Sequence, residues 1–278
     1  MTELVDSHAH IHGREYDADR SAVLERAHAA GVVAIVCAGT DLESSARAVR
    51  LAEQEPGVWA TVGVHPHDAA AATDEYLREL SQLAGSGRVV AFGEIGLDFY
   101  RDLSPRERQR QVFREQLALS DRLGLPVVVH SRDADEVTFS ILTPWVAERR
   151  AAGMQEPFGM MHCFSYGPDR LNAYLKLGMY ISIAGTVTYP KAALVRGAAV
   201  AAPAASLLVE TDCPYLTPQS RRGRRNEPSL LIETVSQIAS LRGRPIDDVS
   251  MATTANALRL FRLSGAAFEQ RARGVGTL

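Results

Sequence analysis

The chain has 278 residues, a formal net charge of −3 and 46% hydrophobic residues, a balance that excludes a disordered polyelectrolyte and a protein that coats nucleic acid through bulk positive charge. No apolar run approaches the roughly 18 residues needed to cross a bilayer, so no membrane partner is expected. Cys37, Cys163 and Cys213 lack metal-knuckle spacing and are expected as reduced thiols. The first residues do not pair a basic segment with an apolar one, so a cytoplasmic location is expected.

Short β-branched runs alternate with amphipathic stretches from the start. The pattern predicts a strand at Leu4 to His8, a helix at Asp19 to Ala29, a strand at Val32 to Ala38 and a helix at Leu42 to Glu53. It continues with a strand at Val58 to Val64, a helix at Asp74 to Leu83, a strand at Val89 to Ile95 and a helix at Pro105 to Leu123. Ser104 before Pro105, with Glu107 three residues after the serine, has the form of a capping box opening that helix. Next come strand Pro126 to His130, helix Ala134 to Arg150, strand Gly159 to Cys163, helix Asp169 to Leu177, strand Met179 to Ile183, helix Pro190 to Ala201 and strand Leu207 to Thr211. Helices at Ser229 to Leu241 and Asp248 to Phe261 close the pattern.

Eight alternating units imply right-handed crossovers and a parallel sheet, and they fit an α/β fold of the (β/α)8 TIM-barrel type with extra C-terminal helices. An open doubly wound sheet is the competing architecture, but no GxGxxG follows the first strand. Residues 1–263 are expected to form one TIM-barrel domain, and 264–278, small and polar, a loose tail.

Chemistry in such a barrel belongs at the C-terminal ends of the strands. Seven of the eight histidines fall there, in DSHAHIH, GVHPH, VVVHSRD and MMHCFS, and only His28 lies within a helix. A lone strand-end histidine is more often structural, but that reading must hold separately at four strands. Residues i and i+2 of a strand share a face, so His8 and His10 can hold one metal, with Asp6 one pleat deeper as their support and His12 as a loop bystander. Cys163 follows His162 by one residue and is expected to face away and pack.

Imidazoles with carboxylates suit divalent ions, and the histidines plus Glu94 and Asp212 are too many donors for one open catalytic ion. Two ions sharing a carboxylate can generate hydroxide at neutral pH and clamp an anionic transition state, so hydrolysis is the expected reaction class. The only lysines, Lys176 and Lys191, are badly placed to bridge such a pair, which leaves Glu94 at the end of strand four for that position.

DSHAHIHG, GVHPH, FGEIGLDFYRD, PVVVHSRDAD, MHCFS, ETDCPYLTP and RGRRNEP occur in the order, and at roughly the spacing, of the TatD family of metal-dependent deoxyribonucleases in the amidohydrolase superfamily, which the chain resembles from about Val5 to Phe261. The resemblance implies that His8, His10 and Asp212 hold one divalent ion, that His130 and His162 hold the second, and that Glu94 bridges them. It places His65 beside the scissile phosphate and implies magnesium or another divalent ion, while the imidazole and carboxylate donors themselves suit zinc or manganese. The implied substrate is DNA, trimmed from single-stranded 3′ ends, with RNA also within the family's range. Tyr166 intervenes before Gly167 where the family usually has glycine directly after HCFS, and 147–157 is somewhat long.

On this reading Asp212 accepts the proton of the nucleophilic water. Arg221, Arg222, Arg224 and Arg225 follow strand eight; a solvated basic loop is the bland account, but next to the metals Arg222 is expected to contact phosphate. Tyr100, Phe164, Tyr166 and Tyr215 are candidates to stack unpaired bases or simply to pack under loops. The chain is expected to act as a monomer. Competing readings are a hydrolase of another ester, such as an aminoacyl-tRNA, a phosphotriester or a lactone, and a barrel that binds without catalysis.

Overall fold

The computed structural model describes residues 3–263. Strands β1 (Leu4–Ala9), β2 (Val32–Ala38), β3 (Val58–Val62), β4 (Val89–Asp98), β5 (Val127–Arg132), β6 (Gly159–Met161), β7 (Met179–Ile183) and β8 (Leu207–Val209) pair in parallel, in sequence order. Helices α1 (Arg20–Ala29), α2 (Leu42–Gln54), α3 (Asp74–Leu83), α4 (Arg106–Leu123), α5 (Asp135–Ala151), α6 (Pro168–Lys176) and α7 (Ala193–Ala201) fill the crossovers, and α8 (Leu231–Arg242) and α9 (Ile246–Phe261) follow β8. The end of β8 returns to β1 through Asp212 N to His8 O (2.9 Å), His10 N to Cys213 O (2.8 Å) and Ser7 Oγ to Val209 O (2.9 Å). The sheet is therefore the (β/α)8 barrel that the alternation predicts. The tail expected at 264–278 lies outside the described residues.

Val5, Ala34, Val36, Ala91, Val128, Met160, Tyr180 and Leu208 form the interior cluster together with Ala257, Leu260 and Phe261 of α9. Ser250 and Thr254 of α9 donate to Glu3 O just before β1, and Asn256 Nδ2 donates to Leu207 O at the start of β8. Helix α9 thus plugs the N-terminal end of the barrel and leaves the C-terminal mouth open to solvent. Alternate strand residues such as Ile35, Val127, Val129 and Ile181 pack outward against the helices. No described helix is long and apolar enough to cross a membrane.

Several boundaries differ from expectation, for local reasons. β3, β6 and β8 stop before His65, His162 and Asp212, which lie just past the strand ends; positive φ at Cys163 (44°) and Asp212 (54°) ends the extended backbone there. β4 and β5 instead run on to Asp98 and Arg132 in a continuous ladder. Gly96 within that ladder has φ of 139°, and a Cβ there would collide with the carbonyl of His130, so only glycine lets β4 lie against the residue that faces Glu94. The capping box expected at Ser104 is not formed. Its hydroxyl donates to His67 O (2.6 Å) and accepts from Ala70 N (3.0 Å), so a tertiary contact takes the group that would have capped α4. A capping box does form at Asp41 and Ser44, opening α2.

Candidate metal centre

The expected donors converge at the C-terminal mouth. His8 Nε2 lies 3.1 Å from His10 Nε2 and 3.3 Å from Glu94 Oε2, and Asp212 Oδ1 lies 3.3 Å from His10 Nε2. On the other carboxylate oxygen, Glu94 Oε1 is 2.8 Å from His130 Nδ1 and 3.5 Å from both His162 Nε2 and His65 Nε2. Donors about 2.1 Å from a divalent ion sit roughly 3.0–3.4 Å apart at the corners of its coordination shell, and most of these separations fall close to that spacing. The two oxygens of Glu94 face two different sets of rings.

Plain alternation does not deliver this arrangement. Val5 points into the barrel and Ser7 Oγ meets Ser182 Oγ there (3.0 Å), so His8 should turn outward. The ladder between β1 and β2 slips between Asp6 and Ala9, however, and His8 comes round to stack on His162 at 3.7 Å between ring centroids. Asp6 therefore does not share a face with the two histidines as expected. Its buried carboxylate accepts from Thr211 N (2.9 Å) and Thr211 Oγ1 (2.6 Å), fastening β1 to the turn that carries Asp212. Burial, opposed by those hydrogen bonds, pushes its carboxyl up to about 7.

Outer partners fix which ring nitrogen presents a lone pair. The Ala38 carbonyl lies 2.8 Å from His10 Nδ1, Glu210 Oε1 lies 2.9 Å from His162 Nδ1, and Asp98 Oδ2 lies 3.2 Å from His130 Nε2. Each acceptor holds one ring proton on its own side, so the opposite nitrogen, toward Glu94 or Asp212, is the one that offers a lone pair to an ion once its own proton has left. His65 is turned the other way round. Its Nδ1 accepts from His67 N (3.1 Å), so the neutral ring carries its proton on Nε2 and meets the cluster as a hydrogen-bond donor. The donor chemistry therefore fits two ions better than a set of satisfied structural histidines.

Asp98 and Glu210 stand at strand ends in the sequence but carry no role there. Asp98, buried, also accepts from His67 Nε2 (2.9 Å), Tyr100 N and Arg101 N, and Glu210 accepts from Cys163 N (2.6 Å). Their signal was spacing: Asp98 lies four residues beyond Glu94, and Glu210 two before Asp212. Cys163, expected to face away, has its thiol within 4.8 Å of donor atoms of His162 and Glu210, because its positive φ ends the strand. His12 belongs to none of the candidate ligand groups; it is buried, with Nδ1 3.1 Å from Cys37 Sγ. All three cysteines are free thiols.

Burial opposes charge on every group in the cluster. It raises Glu94, but His162, His65 and His8 hold that carboxyl well below the ordinary range. It raises Asp212 as well, and the His10 hydrogen bond with the charges of His162 and His10 overcomes it. Burial lowers His162, yet Glu210 and Glu94 bring the ring up to about 10, while Asp212 raises His10 and Asp98 raises His130. For His8 and His65 burial prevails, and both are lowered.

Protons on the raised rings are what a divalent ion displaces, so metal uptake should release protons and tighten as pH rises. Calorimetry in buffers of different ionisation heat measures this, and zero proton release at pH 7 would sink it. In chelator, the protonated His162 stabilises the fold below its unfolded pKa of about 6.5, and that contribution is lost as pH rises toward 10. The melting temperature of the chelated protein should fall across that window.

The arginines after β8 divide. Arg225 is bound to Asp19 through both Nη atoms (2.9 and 2.6 Å) and anchors the loop to the start of α1. Arg222 is exposed, its guanidinium 4.4 Å from the Tyr189 ring centroid. Among the aromatic candidates Phe164 is buried and Tyr166 hydrogen-bonds Ser131, whereas Tyr100 and Tyr215 are 59% and 57% exposed. Tyr215 lies 6.1 Å from the His10 ring.

The family model described as TatD related DNase matches residues 5–262. The chain is 39% identical over 261 residues to the Bacillus subtilis (strain 168) protein named uncharacterized metal-dependent hydrolase YabD, covering 94% of this chain and 100% of that one. It is 39% identical over 267 residues to the Pectobacterium atrosepticum protein named 3′-5′ ssDNA/RNA exonuclease TatD, with the same coverage. Among solved structures, the Escherichia coli K12 TatD homologue YJJV superposes with a TM-score of 0.87 at 33% identity, over 95% of this chain and 99% of that one. With the family model spanning nearly every residue that builds the barrel and its mouth, the chain belongs to the TatD related DNase family.

Proposed function

We propose that the protein is a divalent-metal-dependent phosphodiesterase that trims single-stranded DNA from the 3′ end, accepts RNA as a further substrate and works as a monomer. The observation that carries this reading is Glu94, whose two carboxylate oxygens face two separate groups of imidazole nitrogens. Support for a polynucleotide substrate comes from the name of the Pectobacterium relative.

His8, His10 and Asp212 would hold one ion, His130 and His162 the other, and Glu94 both. Bound there, divalent ions would supply activation of a water molecule and neutralisation of charge on the phosphate. Asp212, kept ionised by its histidine neighbours, takes the proton that the attacking water loses. His65 Nε2–H donates to a phosphate oxygen, a hydrogen bond that strengthens as negative charge develops. Arg222, seated over the Tyr189 ring, offers its fork of N–H groups to phosphate farther along the strand.

The test uses end-labelled single-stranded DNA, duplex DNA and RNA with chelator or with added magnesium, manganese or zinc. A ladder growing from the 3′ end, fastest on single strands and abolished by chelator, is the expected result. Turnover of small esters with no cleavage of any polynucleotide would overturn the proposal.

A further inference from the structure

Beyond the residues already assigned, the mouth carries a second unpaired arginine fork. Most cations nearby are spoken for: Arg14 pairs with Glu43, Arg20 and Arg47 with Asp17, and Arg106 with Asp102. Arg132, at the end of β5, is exposed, and its guanidinium makes no ion pair or hydrogen bond with the described residues. It lies 4.0 Å from the ring centroid of Tyr100, which is itself exposed on the loop after β4. Tyr100 is not free to wander, because its backbone N–H is held by Asp98 Oδ1 (3.0 Å). A guanidinium seated over the ring of a residue whose backbone is fixed in this way is held near one place at the mouth and keeps its N–H groups free for a ligand.

Register says where that edge points. β5 keeps regular alternation: Val128 faces the interior, His130 faces Glu94, and the intervening Ser131 hydroxyl bonds Thr138 and Tyr166 on the other side. Arg132 therefore leaves the strand on the same face as His130, two residues nearer solvent. Two strand residues span about 6–7 Å, close to the separation of successive phosphates along a polynucleotide. Arg222 repeats the device across the mouth on the loop after β8, stacked on Tyr189.

We propose that Arg132, oriented by Tyr100, binds the phosphate next to the scissile one, so that the site is built for substrates with at least two consecutive phosphodiester groups. The assignment rests on the phosphodiesterase reading above. It makes the chemical class of substrate an oligonucleotide rather than a small phosphodiester. The Arg132 fork contributes two parallel charge-assisted hydrogen bonds to the neighbouring phosphate, which fixes the strand relative to the reacting group.

The test compares wild type with Arg132→Ala, Arg132→Lys and Tyr100→Ala on a short single-stranded oligonucleotide and on bis(p-nitrophenyl) phosphate, which has one phosphate. For Arg132→Ala, kcat/KM on the oligonucleotide should fall about 10- to 100-fold, at least tenfold further than on the small diester, with Arg132→Lys and Tyr100→Ala in between. Binding of the oligonucleotide in chelator, followed by fluorescence anisotropy against salt, should lose about 0.7 from its log–log slope, the share of one single-strand phosphate contact. Equal losses on both substrates, or an unchanged salt slope for both Arg132 variants, would overturn the inference while leaving the phosphodiesterase reading intact. That reading fails instead if the wild type cleaves no polynucleotide.

Discussion

Glu94→Ala should leave a folded barrel that retains neither ion and hydrolyses phosphodiesters at least about 10³-fold more slowly. The size of the effect follows from position. Among the described residues Glu94 is the one carboxylate whose two oxygens reach both groups of rings, and its pull keeps His8, His65, His130 and His162 gathered within 3.5 Å of it. Without it, imidazoles that would each carry part of a positive load face one another across the mouth. Asp212 is then the one carboxylate left among the proposed ligands to offset two divalent charges. Glu94→Gln separates charge from shape, because the amide fills the same space and can still offer one neutral oxygen. Metal content by elemental analysis and rate on single-stranded DNA should therefore fall for both variants, with Gln above Ala. Near-normal metal content together with near-normal rate in Glu94→Ala would show that the carboxylate does not serve both ions.

The barrel was legible because its two periods are local properties: β-branched runs of four to eight residues and amphipathic helices each declare themselves within a short window. The donors were legible because histidine is too scarce a residue for seven of eight to gather at strand ends by chance. What stayed hidden depends on contacts between distant segments. The slip of β1 that brings His8 to the mouth is a feature of the ladder with β2, and no spacing within DSHAHIH encodes it. Ser104 looked like a helix cap, but its hydroxyl is claimed by the loop after β3. The pattern of α9 marked an amphipathic helix without telling which surface it covers, and only the assembled barrel shows Leu260 and Phe261 closing its base. Asp98 and Glu210 were visible as acids at strand ends, yet their task of holding ring protons on His130 and His162 exists only in three dimensions.

Asp212→Asn should lower kcat on single-stranded DNA by about 10²- to 10⁴-fold while leaving the fold nearly as stable as the wild type. The substitution is chosen for its backbone. Asp212 has a φ of 54°, a left-handed conformation that asparagine tolerates and that costs roughly 1–2 kcal/mol for most other residues. Its main chain also closes the barrel, since Asp212 N donates to His8 O (2.9 Å) and Asp212 O accepts from Tyr215 N (2.9 Å), and both bonds survive in the amide. Only the charge and the capacity to take a proton are lost. A neutral oxygen weakens the His8 and His10 group as a metal site, so the rate must be compared at saturating metal. If Asp212 accepts the proton of the attacking water, kcat stays low there, because no added ion restores a base. Recovery to within about fivefold of wild type at saturating metal would instead make Asp212 a ligand and nothing more. Asp212→Ala should lose stability as well as rate, and the difference in melting temperature between the two variants measures how much this turn depends on a residue that accepts positive φ.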